Sequence, residues 1–428
     1  MSKSCNLTHV KSEKTVDRVL RQRLSPSEKR RLVIVTGARQ TGKTTLLKRT
    51  YPDLRYVNLD AFENREWTRD ISSFDWAGRV GQAVIDEAQK EPSVFEKVKF
   101  AFDAGTLSFS VLSGSAQILL LSRVRETLAG RAFVYELWPL LFCELAAAVR
   151  GVALAPPFCA RIATCENLGA LFSSLPSSLP PEEAHALDQV QEHLLTWGGM
   201  PELLRLDDED RRQWLRSYEI TYLERDLGDL ARLSDLAPFK KFQRIAALRS
   251  GGMLSYSELS KDAGVSSETA RRYLEYLRIS YQMFMLSPYH VNLTSQVVKT
   301  PKIYWSDVGL LRQVSGQFRT TTGALFETFV VSELKKWAST SGSELRLFYY
   351  RTRSGLEADL LIETEKGLIG IEIKSHERVD RSDASGLRRI AEAAGTKWQG
   401  GMVAYPGSRL FPLCEPEIWA VPASRLLA

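Results

Sequence analysis

A glycine-rich segment near the start of the chain has the residues of a phosphate-binding loop. Residues 37–44 read Gly-Ala-Arg-Gln-Thr-Gly-Lys-Thr and fit the pattern Gly-x-x-x-x-Gly-Lys-Thr in full. The segment follows an apolar, β-branched run at 31–36 and precedes a stretch of helical character at 44–50, which is the order that such a loop requires. Its backbone N–H groups would wrap a β-phosphate at the N-terminus of a helix, where the dipole favours negative charge. We therefore predict that ATP binds here.

Two side chains of this loop have expected roles in catalysis. Lys43 should bridge the β- and γ-phosphates, and the Thr44 hydroxyl should ligate Mg²⁺. A chance match in a surface loop is the alternative, and the strand-to-helix setting argues against it. The residues expected to contact the nucleotide are Gly37, Ala38, Arg39, Gln40, Thr41, Gly42, Lys43, Thr44 and Thr45.

A second apolar run, at residues 83–85, is followed by two acids, Asp86 and Glu87. Asp86 is expected to hold Mg²⁺, partly through water, and Glu87 to polarise the attacking water. Adjacent side chains on a strand point to opposite faces, so this pair is useful only at a strand end, where the backbone turns. A solvated acidic turn is the alternative interpretation.

Two more residues are candidates for the hydrolytic site. Ser115 follows an apolar run at 109–113 and could sense the γ-phosphate or orient water, or could serve only as a small residue in a tight turn. Arg131 follows Gly130 and could reach the γ-phosphate of a neighbouring subunit as an arginine finger or sensor. A surface position is the commoner fate of such an arginine.

Two carboxylates and a lysine near the C-terminus are predicted to share one face of a β-hairpin. Alternating apolar runs flank a polar turn at 365–367, and a hairpin centred there places Asp359 opposite Glu372, with Lys374 on the same face. Such a group can hold a divalent metal beside a cation that orients water. An ordinary solvated hairpin is the alternative.

The middle of the chain contains a helix-turn-helix pattern at residues 256–274. Gly264 supplies the turn, and Ser266 or Ser267 can cap the second helix. Arg271 and Arg272 would then point outward, toward phosphates or bases of DNA. The competing interpretation is a winged-helix module that only bridges two domains.

The length and composition limit the class of protein. A chain of 428 residues is too long for one ordinary core, so several domains are expected. The net charge of +6 permits nucleic-acid binding without requiring it. The five cysteines are scattered, which indicates reduced thiols and no zinc site. No apolar run reaches the ~20 residues of a transmembrane helix, and the polar N-terminus is unlike a secretory signal. We expect a cytoplasmic protein with no membrane partner.

Taken in order, the motifs resemble the AAA-type ATPases of a bacterial and archaeal family often known only as ATP-binding proteins, whose C-terminal domain is related to restriction-endonuclease folds. Asp359 and Glu372-Ile373-Lys374 match the signature of PD-(D/E)XK nucleases, although Ala358 replaces the usual proline and so leaves cleavage open. The resemblance also implies that Glu327, in a predicted helix, is the additional acid that such folds place beside the metal. Besides the phosphate loop, the motifs that carry the resemblance are Val-Ile-Asp-Glu-Ala-Gln at 84–89, Leu-Ser-Gly-Ser-Ala at 112–116, Leu-Ala-Gly-Arg-Ala at 128–132, Glu-Leu-Trp-Pro-Leu at 136–140, Trp-Gly-Gly-Met-Pro-Glu at 197–202 and Tyr-Leu-Glu-Arg-Asp at 222–226.

The predicted fold class is α/β, and the chain is expected to have four parts. Strand-like runs that alternate with helical stretches predict a parallel sheet in the first part, and the Pro- and Ser-rich text at 151–181 predicts a linker that cannot sustain a helix. The parts are a P-loop ATPase domain at 1–150, a linker insertion and helical lid at 151–235, a winged-helix-like segment at 236–300 and a restriction-endonuclease-like α/β domain at 301–428.

The resemblance implies Mg²⁺-dependent ATP hydrolysis coupled to a nuclease-like domain that binds DNA. It also implies a ring or another homo-oligomer, because ATPases of this type often complete their sites across subunits. The alternative is a nucleotide-gated switch or remodelling ATPase whose nuclease-like domain only binds a partner.

Overall fold

The fold is given by a computed structural model. It describes residues 16–114, 127–231, 236–289, 300–343 and 345–428, and for residues 222–231 only the path of the backbone.

The N-terminal part of the described chain is built on a parallel β-sheet, as predicted. Its apolar strands are buried between helices, which is the usual setting of parallel strands. In spatial order the strands run β2-β3-β4-β1-β5. They are β1 (Arg31–Thr36), β2 (Arg55–Asn58), β3 (Ala83–Asp86), β4 (Phe109–Gly114) and β5 (Ala132–Glu136), and the helices between them are α1 (Lys43–Thr50), α2 (Phe62–Asp70), α3 (Trp76–Arg79) and α4 (Ser93–Asp103). Because the strands are parallel, the turns after β1, β3 and β4 lie at one edge of the sheet.

A helical region follows the sheet. Its helices are α5 (Phe142–Arg150), α6 (Phe158–Thr164), α7 (Leu168–Ser173), α8 (Pro181–Trp197) and α9 (Asp208–Ala231). The prediction that residues 151–181 cannot sustain a helix is wrong for α6 and α7. Their apolar side chains, including Ile162 and Phe172, are buried in the largest core. The N–H of Phe158 also donates to the carbonyl of Ala428 at 2.7 Å, so packing against the distant C-terminus outweighs the weak local helix signal.

The predicted helix-turn-helix is present, and a strand pair follows it. Gly264 has a left-handed φ of 73° between the helices, and the Ser266 hydroxyl accepts a hydrogen bond from the N–H of Thr269 at 3.1 Å. The predicted domain boundary at residue 300 separates β6 from its partner β7, because the two strands pair in antiparallel fashion. The elements are α10 (Ala237–Leu248), α11 (Tyr256–Ala263), α12 (Ser267–Ile279), β6 (Met283–Leu286) and β7 (Lys302–Trp305).

The C-terminal part is a mixed sheet with helices on both faces. The hairpin β9–β10 has the predicted register, with Leu360 opposite Ile371. Leu360 packs in the core that contains α14 residues, whereas the adjacent Leu361 packs with Leu387 and Ile390 of α15. The strands, in the order β12-β13-β11-β10-β9-β8, are β8 (Arg346–Arg351), β9 (Glu357–Thr364), β10 (Gly367–Ile373), β11 (Trp398–Tyr405), β12 (Phe411–Cys414) and β13 (Ile418–Pro422), and the helices are α13 (Val308–Ser315), α14 (Gly323–Ser341), α15 (Ser385–Ala394) and α16 (Ala423–Leu427).

Two further findings concern the described residues only. None of their helices has both the length and the apolar character that crossing a bilayer requires. The cysteines among them, Cys143, Cys159, Cys165 and Cys414, are free thiols.

One histidine is buried in the helical region without compensation for its polar atoms. His193 on α8 is fully buried, and neither ring nitrogen has a hydrogen-bond partner in the part of the chain that the structure describes. Burial, with the charge of Arg211 as a second cause, lowers the pKa of His193 to about 3. The folded state therefore holds this imidazole neutral at pH values where an unfolded chain would protonate it.

We predict that His193 weakens the fold in acid. Below the unfolded pKa of ~6.5 the unfolded chain binds a proton at this histidine that the folded protein does not bind. The free energy of unfolding therefore falls as the pH drops below that value, by about 2 kcal/mol between pH 7 and pH 5. His193→Leu should remove this loss, as measured by urea unfolding across that range. His185→Leu, which changes an exposed ring on the same helix, is the control. An unchanged pH dependence in His193→Leu would contradict the prediction.

Candidate functional site

The phosphate-binding loop lies between β1 and α1 and has the backbone that only glycine permits at two positions. Gly37 has a φ of 153°, and a Cβ there would lie 2.1 Å from the carbonyl oxygen of Leu137. Gly42 is left-handed at the start of α1, with a φ of 91°. The Lys43 ammonium donates to the carbonyls of Gly37 at 2.9 Å and Ala38 at 2.7 Å. The backbone of the loop thus surrounds the Lys43 ammonium, and the N-terminus of α1 points into the loop.

Asp86 lies at the end of β3 and receives four hydrogen bonds. Thr44 donates its hydroxyl at 2.5 Å and Tyr56 at 2.6 Å, Ser113 donates a third hydroxyl, and the N–H of Glu87 donates at 3.1 Å. Burial alone would raise the pKa of Asp86, but the hydrogen bonds, led by that of Ser113, outweigh it and hold the pKa below its usual value. Asp86 is therefore an ionised carboxylate beside the Thr44 hydroxyl, and the two residues predicted to ligate Mg²⁺ lie together.

Glu87 follows immediately and has a strained backbone. Its φ of 54° is left-handed, a conformation that non-glycine residues rarely adopt and that is common at functional sites. The turn separates the directions of the two acids, which on a regular strand would point to opposite faces. The Gln89 side-chain amide donates to the Glu87 carboxylate at 2.6 Å. Glu87 lies in the wall of the cavity beside the loop.

That cavity has a volume of about 790 Å³, which is within the range of small-molecule sites. It is rich in positive charge, as a polyphosphate site should be. On one side it is closed by Pro201, Trp214 and Tyr218, and the rings of the last two are stacked with centroids 5.2 Å apart. The basic residues in its wall are Arg18, Arg21, Arg39, Lys43, Arg49 and Arg205.

Arg18 is a residue of this site that the sequence did not indicate. Its buried guanidinium donates to the carbonyl of Thr41 at 2.8 Å, to the carbonyl of Trp138 at 2.6 Å and to the carboxylate of Glu144 at 2.9 Å. It thereby joins the loop to the segment after β5. Arg18 is a single arginine in a polar segment and belongs to no motif. Its place in the site is known only from its contacts with Trp138 and Glu144.

The other two candidates of the ATPase site have different outcomes. Ser115 lies outside the described residues. Arg131 precedes β5, which is parallel to β1 with Ala132 beside Leu32, so it lies level with the start of β1, about 17 Å along the strand from the phosphate loop. It forms an exposed ion pair with Asp103 at 2.6 Å. The predicted role of Arg131 toward the nucleotide of a neighbouring subunit stays a prediction.

The predicted acid cluster of the C-terminal part is assembled by β9, β10 and α14. Asp359 accepts a hydrogen bond from the N–H of Ile373 at 2.8 Å, which keeps it beside β10. The Lys374 ammonium contacts the Glu372 carboxylate at 2.9 Å. Glu327 on α14 accepts from the Tyr304 hydroxyl at 2.6 Å.

A lysine that the sequence did not indicate lies among these acids. The Lys302 ammonium on β7 is 3.0 Å from Glu327, 2.8 Å from Glu357 and 3.8 Å from Asp359. The geometry thus differs from the predicted metal site, because an ammonium group supplies the cation beside Asp359. No three carboxylate, histidine or cysteine side chains of the described residues are grouped so that they could hold a metal ion. Lys302 lies in an aromatic strand with no charge pattern, so its partners could not be inferred.

The buried acids have raised pKa values. Burial raises the pKa of Asp359 well above its usual value, the charges of Glu327 and Glu372 raise it further, and Lys302 opposes them. Burial also raises the pKa of Glu372, against the opposing charge of Lys374. Strongly shifted pKa values of this kind occur at functional sites and also in structural networks of ion pairs.

The exposed arginines of the helix-turn-helix are placed as predicted. Arg271 and Arg272 on α12 both face solvent, and the Arg271 guanidinium lies 4.2 Å from the ring centroid of Tyr256. The apolar seam behind them, including Leu259 and Leu274, is buried.

Comparisons with known proteins match three segments of the chain. A model of an AAA domain matches residues 29–146, and models of two domains of unknown function, DUF8612 and DUF4143, match residues 188–321 and 322–426. The first match assigns an AAA-type ATPase module with a P-loop to the N-terminal sheet. An AAA-type module of this kind implies nucleotide binding and NTP hydrolysis by this part of the chain.

Similar proteins give less functional information. Uncharacterized proteins of Mycobacterium tuberculosis and Mycobacterium bovis are each 28% identical over 409 residues, which cover 92% of this chain and 81% of theirs. A Walker-type ATPase of Pyrococcus abyssi is 15% identical with a TM-score of 0.44 and covers 71% of this chain and 97% of its own. The ORC2 protein of Aeropyrum pernix in its ADP form is 12% identical with a TM-score of 0.30, covering 64% and 90%.

We predict that Asp359 lowers the stability of the metal-free protein at neutral pH. An acid with a raised folded-state pKa contributes its stability below the unfolded pKa, and the contribution is lost as the pH rises through the folded-state pKa. Asp359→Asn should therefore raise the unfolding temperature at pH 7.5 in EDTA, and the difference should shrink toward pH 4. The amide oxygen can still accept from Ile373.

Asp380→Asn is the control for this measurement, because the pKa of Asp380 is lowered where that of Asp359 is raised. Hydrogen bonds from Ser382 lower the pKa of the exposed Asp380, so its substitution should give no gain in stability at neutral pH. A lower unfolding temperature for Asp359→Asn than for the wild type at pH 7.5 would contradict the prediction.

Proposed function

We propose that the protein hydrolyses ATP with Mg²⁺ at the site formed by the phosphate loop, Asp86 and Glu87. The observation that carries the proposal is the 2.5 Å hydrogen bond between the Thr44 hydroxyl and the Asp86 carboxylate. It brings together two hard oxygen ligands at the N-terminus of α1, and Mg²⁺ prefers such ligands. Lys43 lies one residue away, in the same cavity.

Each residue then has a defined task in phosphoryl transfer. The Lys43 ammonium, now held by two loop carbonyls, would contact the β- and γ-phosphates, which are stronger acceptors. Thr44 and Asp86 would hold Mg²⁺, which neutralises charge on the transferring group. Glu87 would orient and polarise the attacking water, with Gln89 fixing its carboxylate. Ser113 and Tyr56 keep Asp86 in place. In a homo-oligomer, Arg131 would act on the neighbouring subunit's nucleotide.

We predict that Glu87→Gln separates binding from hydrolysis. The amide can occupy the same space but cannot accept a proton, so hydrolysis should fall by about 10²–10⁴-fold, the usual contribution of a general base. Binding of ATP should stay within a few-fold of the wild type, because Lys43 and Thr44 are intact. Phosphate release and binding of a fluorescent ATP analogue measure the two quantities.

Gln89→Ala is the matched variant, since it removes only the donor that holds Glu87. It should reduce hydrolysis less than Glu87→Gln does. If Glu87→Gln hydrolyses ATP at the wild-type rate, Glu87 does not have this role.

We further propose that the C-terminal part is a PD-(D/E)XK nuclease-like domain that binds DNA. The supporting observation is the register of β9 and β10, which brings Asp359, Glu372 and Lys374 to one place, with Glu327 nearby. These oxygen donors suit Mg²⁺ or Mn²⁺ in their chemistry. Lys302 would have to leave Asp359 before an ion could bind there. The exposed Arg271 and Arg272 are the proposed phosphate contacts of the helix-turn-helix.

The alternative is a nucleotide-gated switch or remodelling ATPase whose nuclease-like domain binds a partner and cuts nothing. The observation that favours it is the position of Lys302, which already contacts three of the acids. An ammonium group at this place neutralises the cluster without supplying a Lewis acid or a bound hydroxide.

Incubation with linear and circular DNA separates the two. With Mg²⁺ or Mn²⁺ and with or without ATP, we expect cleavage that Glu372→Ala abolishes, because this variant removes one of the two central carboxylates. Glu365→Ala, an exposed acid in the turn of the same hairpin, should cleave like the wild type. If substitution of Lys43 also abolishes cleavage, then cleavage depends on ATP binding at the phosphate loop. Absence of cleavage by the wild type on every DNA tested would favour the switch.

A further inference from the structure

Tyr281 occupies an unusual backbone conformation between the helix-turn-helix and the strand pair that follows. Its φ is 63°, a left-handed value that is a genuine outlier for a bulky aromatic residue. Such a conformation persists only when the surrounding contacts hold it, and it is frequent at functional sites. The contacts of the Tyr281 side chain therefore indicate which role this backbone conformation serves.

The Tyr281 ring lies against the base of the phosphate loop. It is 4% exposed and forms an apolar cluster with Ala38 of the loop and with Trp138. The two rings meet edge to face, with centroids 5.1 Å apart and an interplanar angle of 87°. The Tyr281 hydroxyl lies 3.3 Å from the Thr36 hydroxyl and 3.4 Å from the Glu136 carboxylate. Thr36 is the last residue of β1 and directly precedes the loop.

The backbone of Tyr281 is held by the end of the helix-turn-helix and by the strand pair β6–β7. Its N–H donates to the carbonyl of Arg278 at 3.1 Å, near the end of α12. Its carbonyl accepts from the Ser306 hydroxyl, and the N–H of Ser306 donates to the carbonyl of Gln282 at 2.9 Å. The position of the ring is therefore fixed by α12 and by the end of β7, while the loop that it contacts belongs to the ATPase sheet.

Trp138 connects the ring of Tyr281 to both ends of the loop. Its carbonyl accepts from Arg18, whose other nitrogen donates to the carbonyl of Thr41. The preceding residue, Leu137, donates its N–H to the carbonyl of Thr36 at 2.8 Å and packs its own carbonyl against Gly37. A displacement of Trp138 thus moves the start of the loop and the turn at Thr41 together.

We propose that Tyr281 is a positioning residue for the nucleotide loop. Held by α12 and by Ser306 after β7, its ring holds Trp138, and through Trp138 the loop from Thr36 to Thr41, in the geometry that binds the phosphates. This inference rests on the proposed function in one respect, that nucleotide binds at the loop. Since the ring is fixed by α12, whatever displaces α12 changes the affinity for nucleotide, and nucleotide binding changes the position of α12.

The test is the binding and hydrolysis of ATP by full-length Tyr281 variants. Tyr281→Leu removes the ring contact and should raise the Kd for a fluorescent ATP analogue and the KM for ATP by about tenfold, within the usual range of coupling between sites. The kcat at saturating ATP should change little, because the lost contact favours the substrate and the transition state equally. Tyr281→Phe keeps the ring and should stay within about twofold of the wild type.

A matched control and a double variant separate positioning from loss of stability. Tyr289→Leu removes another buried tyrosine in a similar setting. Its ring meets an aromatic ring edge to face, in this case that of Phe348, and its hydroxyl lies near the carboxylate of Glu363. It should destabilise the fold without changing the Kd. Trp138→Leu breaks the same ring pair from the ATPase side, so it should weaken binding by itself and add little to Tyr281→Leu. Trp138→Leu also provides the measurement if Tyr281→Leu does not fold.

Several results would overturn the inference, and they are distinguishable. If the wild type binds no nucleotide, the proposed function fails and the inference fails with it. If the wild type binds ATP and the folded Tyr281→Leu variant binds it equally well, only the inference fails. Equal weakening by Tyr289→Leu, or fully additive effects of Trp138→Leu and Tyr281→Leu, would also overturn it.

Discussion

A single buried carboxylate, that of Asp86, joins three neighbouring strands to the helix that begins at the phosphate loop. It accepts from Tyr56 on β2, from Ser113 on β4 and from Thr44 on α1. A charge in this position would be costly if its oxygens were not saturated by donors. The three hydroxyls therefore stabilise the ionised acid and also fix the distance between the sheet edge and α1, on which the geometry of the nucleotide site depends.

Other buried charges fix the contacts between the parts of the chain. Arg18 and Glu144 connect the leader segment to α5. Glu333 on α14 accepts from the N–H of Phe142 at 2.7 Å and thus attaches the C-terminal part to the same helix. Buried ion pairs contribute little net stability, because desolvation offsets their attraction, but a mispaired arrangement is strongly disfavoured. One contact that crosses between the ATPase and C-terminal parts is the hydrogen bond from Phe142 to Glu333, whose carboxylate is also paired with Lys336 on α14.

The features that could be predicted from the sequence are those encoded over short stretches. The phosphate loop is a contiguous motif, and the two acids after β3 follow a strand that its apolar residues identify. The register of β9 and β10 was predicted correctly because a tight polar turn fixes which residues pair, and the period of two then places Asp359, Glu372 and Lys374. The parallel sheet followed from alternating strand and helix signals.

The features that were missed depend on contacts between distant segments. Arg18, Tyr281 and Lys302 are single residues without a local pattern, and each gains its role from partners more than 20 residues away. The helices α6 and α7 have weak intrinsic signals and form because they pack against the C-terminal residues.

The strand pair β6–β7 has one consequence for how the two candidate sites are related. Ser306, beyond the last residue of β7, contacts Tyr281 at the phosphate loop, and Lys302 at the other end of the strand, opposite Leu286, contacts the acids. The ribbon between them is only ~13 Å long at 3.3 Å per residue. One strand pair of four residues a side therefore carries a contact to each of the two candidate sites, and its main-chain ladder is a direct covalent and hydrogen-bonded connection between them.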